Sequence, residues 1–520
     1  MTTEHTAESP KEFSGTPSLL CIGLMLLIYV ATLLFHLPQA GTHLIVEAAH
    51  HSTHSAEHPE ESAAEKMPPP AIWMVFPFVV LLGCIAVLPL MHATEHWWES
   101  NLHRFYVAGG LGLLTLIFYL VAHEHPVQSH YLSHEFSVPT AGGLNFDTAR
   151  VVLENAMLEE YIPFIVLLFS LYTITGGVRI EGDLVARPST NVAFIGIGAT
   201  IASFVGTTGA AMLLIRPLLE TNRERKHVKH TVIFFIFAVC NCGGCLLPIG
   251  DPPLFLGYLE GVPFLWTFAL WKEWLFVNSL LLIIYYVWDR FIAYPKESQA
   301  DLARDTTDIK PLKFKGVLNI VWLFGVILAV ALLDPKKTIL GWHPWLYMRE
   351  MVQMLMVGLS LLTTSKAVRT DNNFNFAAII EVAVLFSGIF ICMQPALQIL
   401  DVRGAELPIT TAQRFFWATG SLSAVLDNAP TYLVFFNTAK SLSPASGPHI
   451  VAGVEEHLLI AISLGAVFMG AMTYIGNGPN FMVKAIAETE GVKMPSFFGF
   501  TAYSFGVLLP IFILTVLLFL

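Results

Sequence analysis

Leu246-Leu247-Pro248-Ile249-Gly250-Asp251-Pro252-Pro253-Leu254-Phe255 lies inside a hydrophobic run that extends from about Val232 to Tyr258. A membrane helix cannot keep its hydrogen-bond ladder through Pro248, Gly250, Pro252 and Pro253, because proline removes donors and clashes with the preceding turn. The backbone is therefore expected to open around Gly250 and Asp251, leaving free carbonyls and a carboxylate at membrane depth. Irregular backbone is tolerated there only when it is buried in protein or lines a cavity. An ionisable residue at such a break marks a functional site.

The stretch has a counterpart. Ile475-Gly476-Asn477-Gly478-Pro479-Asn480-Phe481 repeats Ile249 to Phe255 as I-G-[D/N]-x-P-x-F, 226 residues later. Two Gly/Pro-interrupted apolar segments at matching places in two halves point to the substrate site of a secondary transporter.

Composition agrees with a membrane protein. The 520 residues are 55% hydrophobic and 13% charged, against about 25% charged in soluble domains. A formal charge of −11 excludes nucleic acid as a natural partner. The six cysteines all lie in apolar stretches and form no disulfide framework. Cys240-Asn241-Cys242-Gly243-Gly244-Cys245 has the look of a metal motif, but small residues before a helix break serve close packing.

The reading is an all-α polytopic membrane protein built from inverted repeats, each with a re-entrant hairpin and a broken transmembrane helix. Residues 1–70 form an N-terminal segment with one apolar helix, Leu19–Leu37, and a loop over 38–70. That loop holds His43, His50, His51, His54 and His58. The first half, 71–288, contains an amphipathic lead-in over Phe146–Leu158, a helix over Tyr161–Gly176, a hairpin at 190–219 and a broken helix at 231–260. The hairpin tip is Gly206-Thr207-Thr208-Gly209. A basic linker spans 289–315. The second half, 316–520, contains a hairpin at 412–440, with its tip at Asp427-Asn428-Ala429-Pro430-Thr431, and a broken helix at 457–488.

Offsets support the repeat, since Glu160 precedes Thr207 by 47 residues and Glu381 precedes Asn428 by 47. Arg223, Arg225, Lys226, Lys229, the basic linker, Lys366 and Arg369 mark the cytoplasmic side by the positive-inside rule. The first hairpin then opens to the cytoplasm and the second to the outside.

Hydroxyls of Thr207, Thr208 and Thr431, the Asn428 amide, and opened backbone at Gly250, Gly476 and Asn477 are hard oxygen ligands suited to a small hard cation. Asp251 and Asp427 add proton acceptors, so proton and cation can compete for one group. Asp427 also suits an N-cap before Ala429-Pro430. Glu160 and Glu381 are candidate proton relays or interfacial span starts, and Arg216 before Pro217 reads as a snorkelling arm-end anchor.

Gly250 to Gly257 (GDPPLFLG) and Leu426 to Leu433 (LDNAPTYL) resemble the NhaD-type sodium/proton antiporters. These belong to the ion-transporter superfamily with arsenite, metal-citrate and dicarboxylate carriers. The likeness runs over roughly residues 70–520 and leaves out the His-rich region. It implies a scaffold domain, a transport domain with two re-entrant hairpins, often a homodimer, and residence in a bacterial inner membrane. The superfamily's Ser-Asn-Thr-type tips map to Thr207-Thr208 and to Asn428 through Thr431, the first tip lacking the Asn. The expected activity is exchange of Na+, and of Li+, for H+, with Na+ held at Asp251, Asp427, Asn428, Thr207 and Thr208 and no cofactor. The alternative is a cation-coupled carrier of citrate or another carboxylate. Against that alternative stands the absence of paired arginines in the sequence to clamp an anion. No nucleophile–base pair or HExxH-like site suggests an enzyme.

Overall fold

The computed structural model describes residues 14–57, 68–132, 135–140, 143–307, 309–339, 341–444 and 447–520. The chain is predominantly helical. Eight of its described helical stretches are long and apolar enough to cross a membrane: Thr16–Leu34, Ile72–Leu90, Asn101–Val121, Phe146–Thr175, Pro188–Val205, Trp266–Lys296, Ala377–Glu406 and Phe497–Phe519. Large apolar side chains on these stretches face outward, as with Leu20, Leu113, Phe498 and Leu517. Lipid, not water, is the solvent that such a surface requires.

In chain order the helices are α1 (Thr16–Leu34), α2 (Leu37–Glu57), α3 (Phe76–Val87), α4 (Glu95–Trp98), α5 (Asn101–Val121), α6 (Phe146–Glu154) and α7 (Ile162–Thr175). Strand β1 (Arg179–Asp183) follows, then α8 (Pro188–Val205), α9 (Thr207–Thr221), α10 (Lys229–Ala238), α11 (Pro252–Leu259), α12 (Trp271–Trp288) and α13 (Gln299–Thr307). After β2 (Lys310–Lys315) come α14 (Leu318–Leu332), α15 (Met348–Thr363), α16 (Lys366–Asp371), α17 (Ala377–Arg403), α18 (Ala412–Ser423) and α19 (Asn428–Leu442). A two-residue hairpin, β3 (Ile450–Val451) and β4 (Val454–Glu455), precedes α20 (Glu456–Met469), α21 (Gly478–Thr489) and α22 (Phe497–Phe519).

Three local expectations change. The stretch over 38–70 is helical as far as Glu57, because α2 starts on Leu37-Pro38 and docks. The Thr42 hydroxyl donates to the carbonyls of Pro38 and Pro344 and accepts from the Leu346 amide at 2.8 Å. His43 pairs with Glu47 on the exposed face of α2, and His58 lies outside the described residues. The lead-in and the following helix are one continuous element, joined by a wide π-type turn over Asn155–Tyr161. The basic stretch 289–315 is structured rather than a plain connection. Its β2 pairs antiparallel with β1, Arg179 opposite Lys315, and so ties the middle of the chain to the end of α7.

Two of the positive-inside anchors are buried instead of facing water. The Arg225 guanidinium forms an ion pair with Asp289, lies 3.5 Å from Glu297, and shares Asp289 with His230. Arg369 donates to the Thr173 carbonyl at 2.6 Å and to Ser360 at 2.7 Å. Burying a guanidinium is costly unless its donors are met, and here fixed acceptors meet the Nη groups of both arginines.

Candidate functional site

Both broken segments open as their proline and glycine content requires. α10 ends at Ala238, short turns follow at Cys242–Cys245 and Pro248–Gly250, and α11 restarts on Pro252. In the second half α20 ends at Met469, a turn runs over Gly470–Met472, and α21 restarts on Gly478-Pro479. Proline in the first turn costs a helix nothing, since that N–H has no intrahelical partner. The glycines allow the two sides of each break to touch. A Cβ on Gly250 would meet the Gly244 carbonyl oxygen, and one on Gly476 would sit 2.6 Å from the Gly470 oxygen.

The neighbouring hairpins are joined to these breaks by matching bonds. Gly206, at φ +81, turns the chain from α8 into α9, a backbone region that glycine adopts without steric cost. Ser203 on α8 donates to the Gly243 carbonyl at 2.6 Å, and Ser423 on α18 donates to the Ala466 carbonyl at 2.6 Å. Thr473 donates to the Ala424 carbonyl at 2.5 Å, holding the second break to its hairpin. Packing then crosses between halves, with α11 against α19 and α21 against α9.

Asp251 is where these pieces meet. It sits at the N-cap of α11, and Asn477 holds the same place before α21, both with extended backbone. Neither side chain caps its own helix. The Asn477 amide instead donates to Asp251 Oδ1 at 3.1 Å, and the Thr207 hydroxyl donates to that oxygen at 2.9 Å. The Asn428 amide donates to Asp251 Oδ2 at 2.6 Å. Asp251 is 1% exposed, so these three donors replace water as the solvation of a buried carboxylate.

Four helix N-termini, those of α9, α11, α19 and α21, deliver these four residues. Each carries about half a positive charge from its free N–H groups. Their convergence favours negative charge at the centre. Asn428 Oδ1 is buried and has no hydrogen-bond partner among the described residues, which leaves one acceptor beside the carboxylate able to take a cation. An amide layer supports the cluster. Asn241 donates to Asn480 Oδ1 at 2.7 Å, and Asn480 donates to the carbonyls of Gly470 and Thr473, each at 2.9 Å.

The other sequence candidates fall outside this centre. Asp427 caps α19, its carboxylate accepting the Ala429 amide at 3.1 Å, and Thr431 donates back to the Asp427 carbonyl. Thr208 makes none of the bonds to Asp251. Gly250 and Gly476 contribute close backbone approach. Glu160 accepts from Gln394 at 3.3 Å and lies in the wide turn before α7, while Glu381 pairs with Arg104 at 3.0 Å. Cys240, Cys242 and Cys245 are buried, and the glycines between them press on α8 and Thr207. Among the described residues no group of three or more His, Cys, Asp or Glu side chains could hold a metal ion. Sequence reasoning missed Asn241, Asn480, Ser203 and Ser423. Asn480 stood inside the quoted repeat and Asn241 inside the cysteine motif.

Two cavities lie beyond the cluster. One, of about 960 Å³, opens at the far end of α9 and takes in Arg179, Arg216, Lys229, Lys296 and Lys493. The other, of about 470 Å³, opens at the far ends of α11 and α19 and takes in Glu159, Glu160, Glu260, Asp401, Lys336 and Lys440. Arg216 lines the first nine residues after Thr207, and Asn437 lines the second nine residues after Asn428. Nine residues of helix span roughly 14 Å. Both cavities therefore stand about that far from the cluster, one rich in cations and the other in carboxylates.

Residues 67–520 match the protein family described as "Putative citrate transport". No curated protein matches the chain. The matched family is the citrate one, within the wider group that the two motifs resemble; the sodium/proton antiporter assignment finds no support in it.

Proposed function

Because the chain belongs to this citrate-transport family, we propose that it is a secondary transporter carrying citrate or a related carboxylate, coupled to a small cation. The convergence of four helix N-termini on Asp251 carries the reading. Such termini bind anionic groups of a substrate, whereas unwound carbonyls bind the coupling ion. Asp251 supplies the coupling. Its own negative charge repels a carboxylate substrate until a cation or proton neutralises it, so anion and cation bind together. Asn428 Oδ1 and the Thr207 hydroxyl complete the cation's oxygen shell.

Under this reading the halves are inverted repeats with re-entrant hairpins, and the two cavities are the vestibules of alternating access. The basic one is cytoplasmic. The candidate site is then Asp251, Thr207, Asn428 and Asn477, with Asn241 and Asn480 as positioning residues. The chemistry is binding and release across an integral membrane protein, with no bond made or broken.

One observation favours a second reading, Na+/H+ exchange. Among the described residues the cluster holds a single titratable carboxylate, and no guanidinium or ammonium group hydrogen-bonds to it. Counterflow in proteoliposomes separates the two. Liposomes loaded with unlabelled citrate should accumulate labelled citrate. If they do not, and Na+ alone releases protons from them, the exchange reading replaces this one.

A further inference from the structure

We propose that the cavity at the far end of α9 is a docking site for a multivalent carboxylate, with Arg216 as its central cation. The inference rests on the carboxylate-transport reading and names where the anion is first held. The cavity volume, about 960 Å³, accommodates a tricarboxylate together with bound water.

Its cations are of two kinds. Arg223, Arg225 and Lys226 are held by carboxylates, namely Glu224, Asp289 with Glu297, and Asp301. Those pairs are structural, and they leave little net charge for a ligand. Arg216, Lys229, Lys296 and Lys493 have no carboxylate within ion-pair distance among the described residues. The acids facing the cavity are Glu220, which pairs with Lys310 at 3.8 Å, and Asp371 and Glu490. Four unpaired cations thus face two unpaired carboxylates.

Arg216 is the least exposed of the four, the other three being open to solvent. It sits within α9 one residue before Pro217, among the buried residues Leu214, Ile215, Leu218 and Leu219. A half-buried guanidinium with its nearest acids beyond ion-pair distance is costly to hold, and an arriving carboxylate lowers that cost. Arg179 lines the same cavity. Its Nε is bound to Glu181 and its Nη1 to the Asp371 carbonyl, which fixes the side chain and leaves Nη2 outside those bonds. Two arginines separated by 37 residues in sequence therefore share one cavity. Planar guanidinium groups match carboxylates in bidentate fashion. The snorkelling role expected for Arg216 explains its length but not its place in a cavity.

Because Thr207 opens the helix that carries Arg216, occupancy at one end acts on the same rigid arm as the Asp251 cluster.

The test is citrate binding by titration calorimetry to the purified full chain in nanodiscs of phosphatidylcholine. Wild type, Arg216→Gln, Arg216→Lys and Lys313→Gln, the last an exposed lysine of β2 that does not line the cavity, are compared, with labelled-citrate counterflow measured on the wild type alongside. The proposal expects Arg216→Gln to weaken binding at least tenfold, Arg216→Lys to recover part of it, and Lys313→Gln to keep binding within threefold. Equal affinity of wild type and Arg216→Gln, with wild-type counterflow intact, would overturn the site and spare the transport reading. Absence of counterflow with retained Arg216-dependent binding would overturn the transport reading and spare the site. Nanodiscs containing phosphatidylglycerol form the second arm. If Arg216→Gln alters only the binding of that lipid and never of citrate, the cavity is a headgroup site and the proposal fails.

Discussion

Asp251→Asn separates the structural and the coupling contributions of one carboxylate. In the wild type Asp251 accepts three hydrogen bonds, from Thr207 at 2.9 Å, Asn477 at 3.1 Å and Asn428 at 2.6 Å. The amide keeps one oxygen for Thr207 and Asn477 but turns an NH2 group toward the Asn428 donor. A donor facing a donor costs about 1–3 kcal/mol when buried. Asn428 can relieve this by rotating its own amide, since its Oδ1 is unpartnered and then accepts. The remaining loss, charge-assisted bonds becoming neutral ones, is about 1 kcal/mol per bond, and removal of a buried charge, itself worth several kcal/mol, offsets it. The cation loses much more. A unit charge 4 Å from a carboxylate gains about 4 kcal/mol at an effective dielectric near 20, or roughly a thousandfold in affinity. The variant should therefore insert and unfold near the wild-type temperature, read by tryptophan fluorescence, while cation-driven uptake of labelled citrate falls to background. Uptake with a half-saturating cation concentration within threefold of wild type would refute the argument.

Asp427→Asn should change uptake by less than threefold, because Asn and Asp cap helices almost equally and Asp427 caps α19; loss of transport in a folded variant would return coupling to Asp427. Thr207→Ala should raise the apparent KM for the cation about tenfold, while Thr208→Ala leaves it unchanged, since Thr207 alone of the two bonds to Asp251. Gly476→Ala should lower the yield of folded protein on gel filtration, its Cβ lying 2.6 Å from the Gly470 oxygen and 2.9 Å from the Ser423 oxygen, whereas Gly478→Ala, with open space around it, should be tolerated. Accessibility reporters inserted at residues 300 and 447 should label from opposite sides of the membrane, and labelling from the same side would remove the inverted-repeat arrangement.

The pattern I-G-[D/N]-x-P-x-F is enough to point to Asp251 and Asn477, because proline and glycine in an apolar run force the backbone open whatever surrounds it. The end of the helix expected over Tyr161–Gly176 was legible for the same kind of reason, since α7 stops at Thr175 where the apolar run meets Gly176-Gly177. The choice between Asp251 and Asp427 was not legible. Both are acids at helix starts, and only the rotation of each side chain separates the one that caps its helix from the one that faces Asn477. Long-range pairing was equally hidden. Arg179 and Arg216 gave no sign in sequence of sharing a cavity; β1, which carries Arg179, packs on α9 and pairs with β2, drawn from a stretch that looked like a linker. The helical run to Glu57 was obscured by histidines, which neither favour nor forbid a helix strongly.

Gradient-driven accumulation of citrate tests the central claim most directly. Purified full-length protein in proteoliposomes, given an inward Na+ gradient or an inward proton gradient, should concentrate labelled citrate above its external level, and collapse of that gradient should release it. Citrate that only equilibrates, together with Na+/H+ exchange that proceeds at the same rate with or without citrate, would contradict the account.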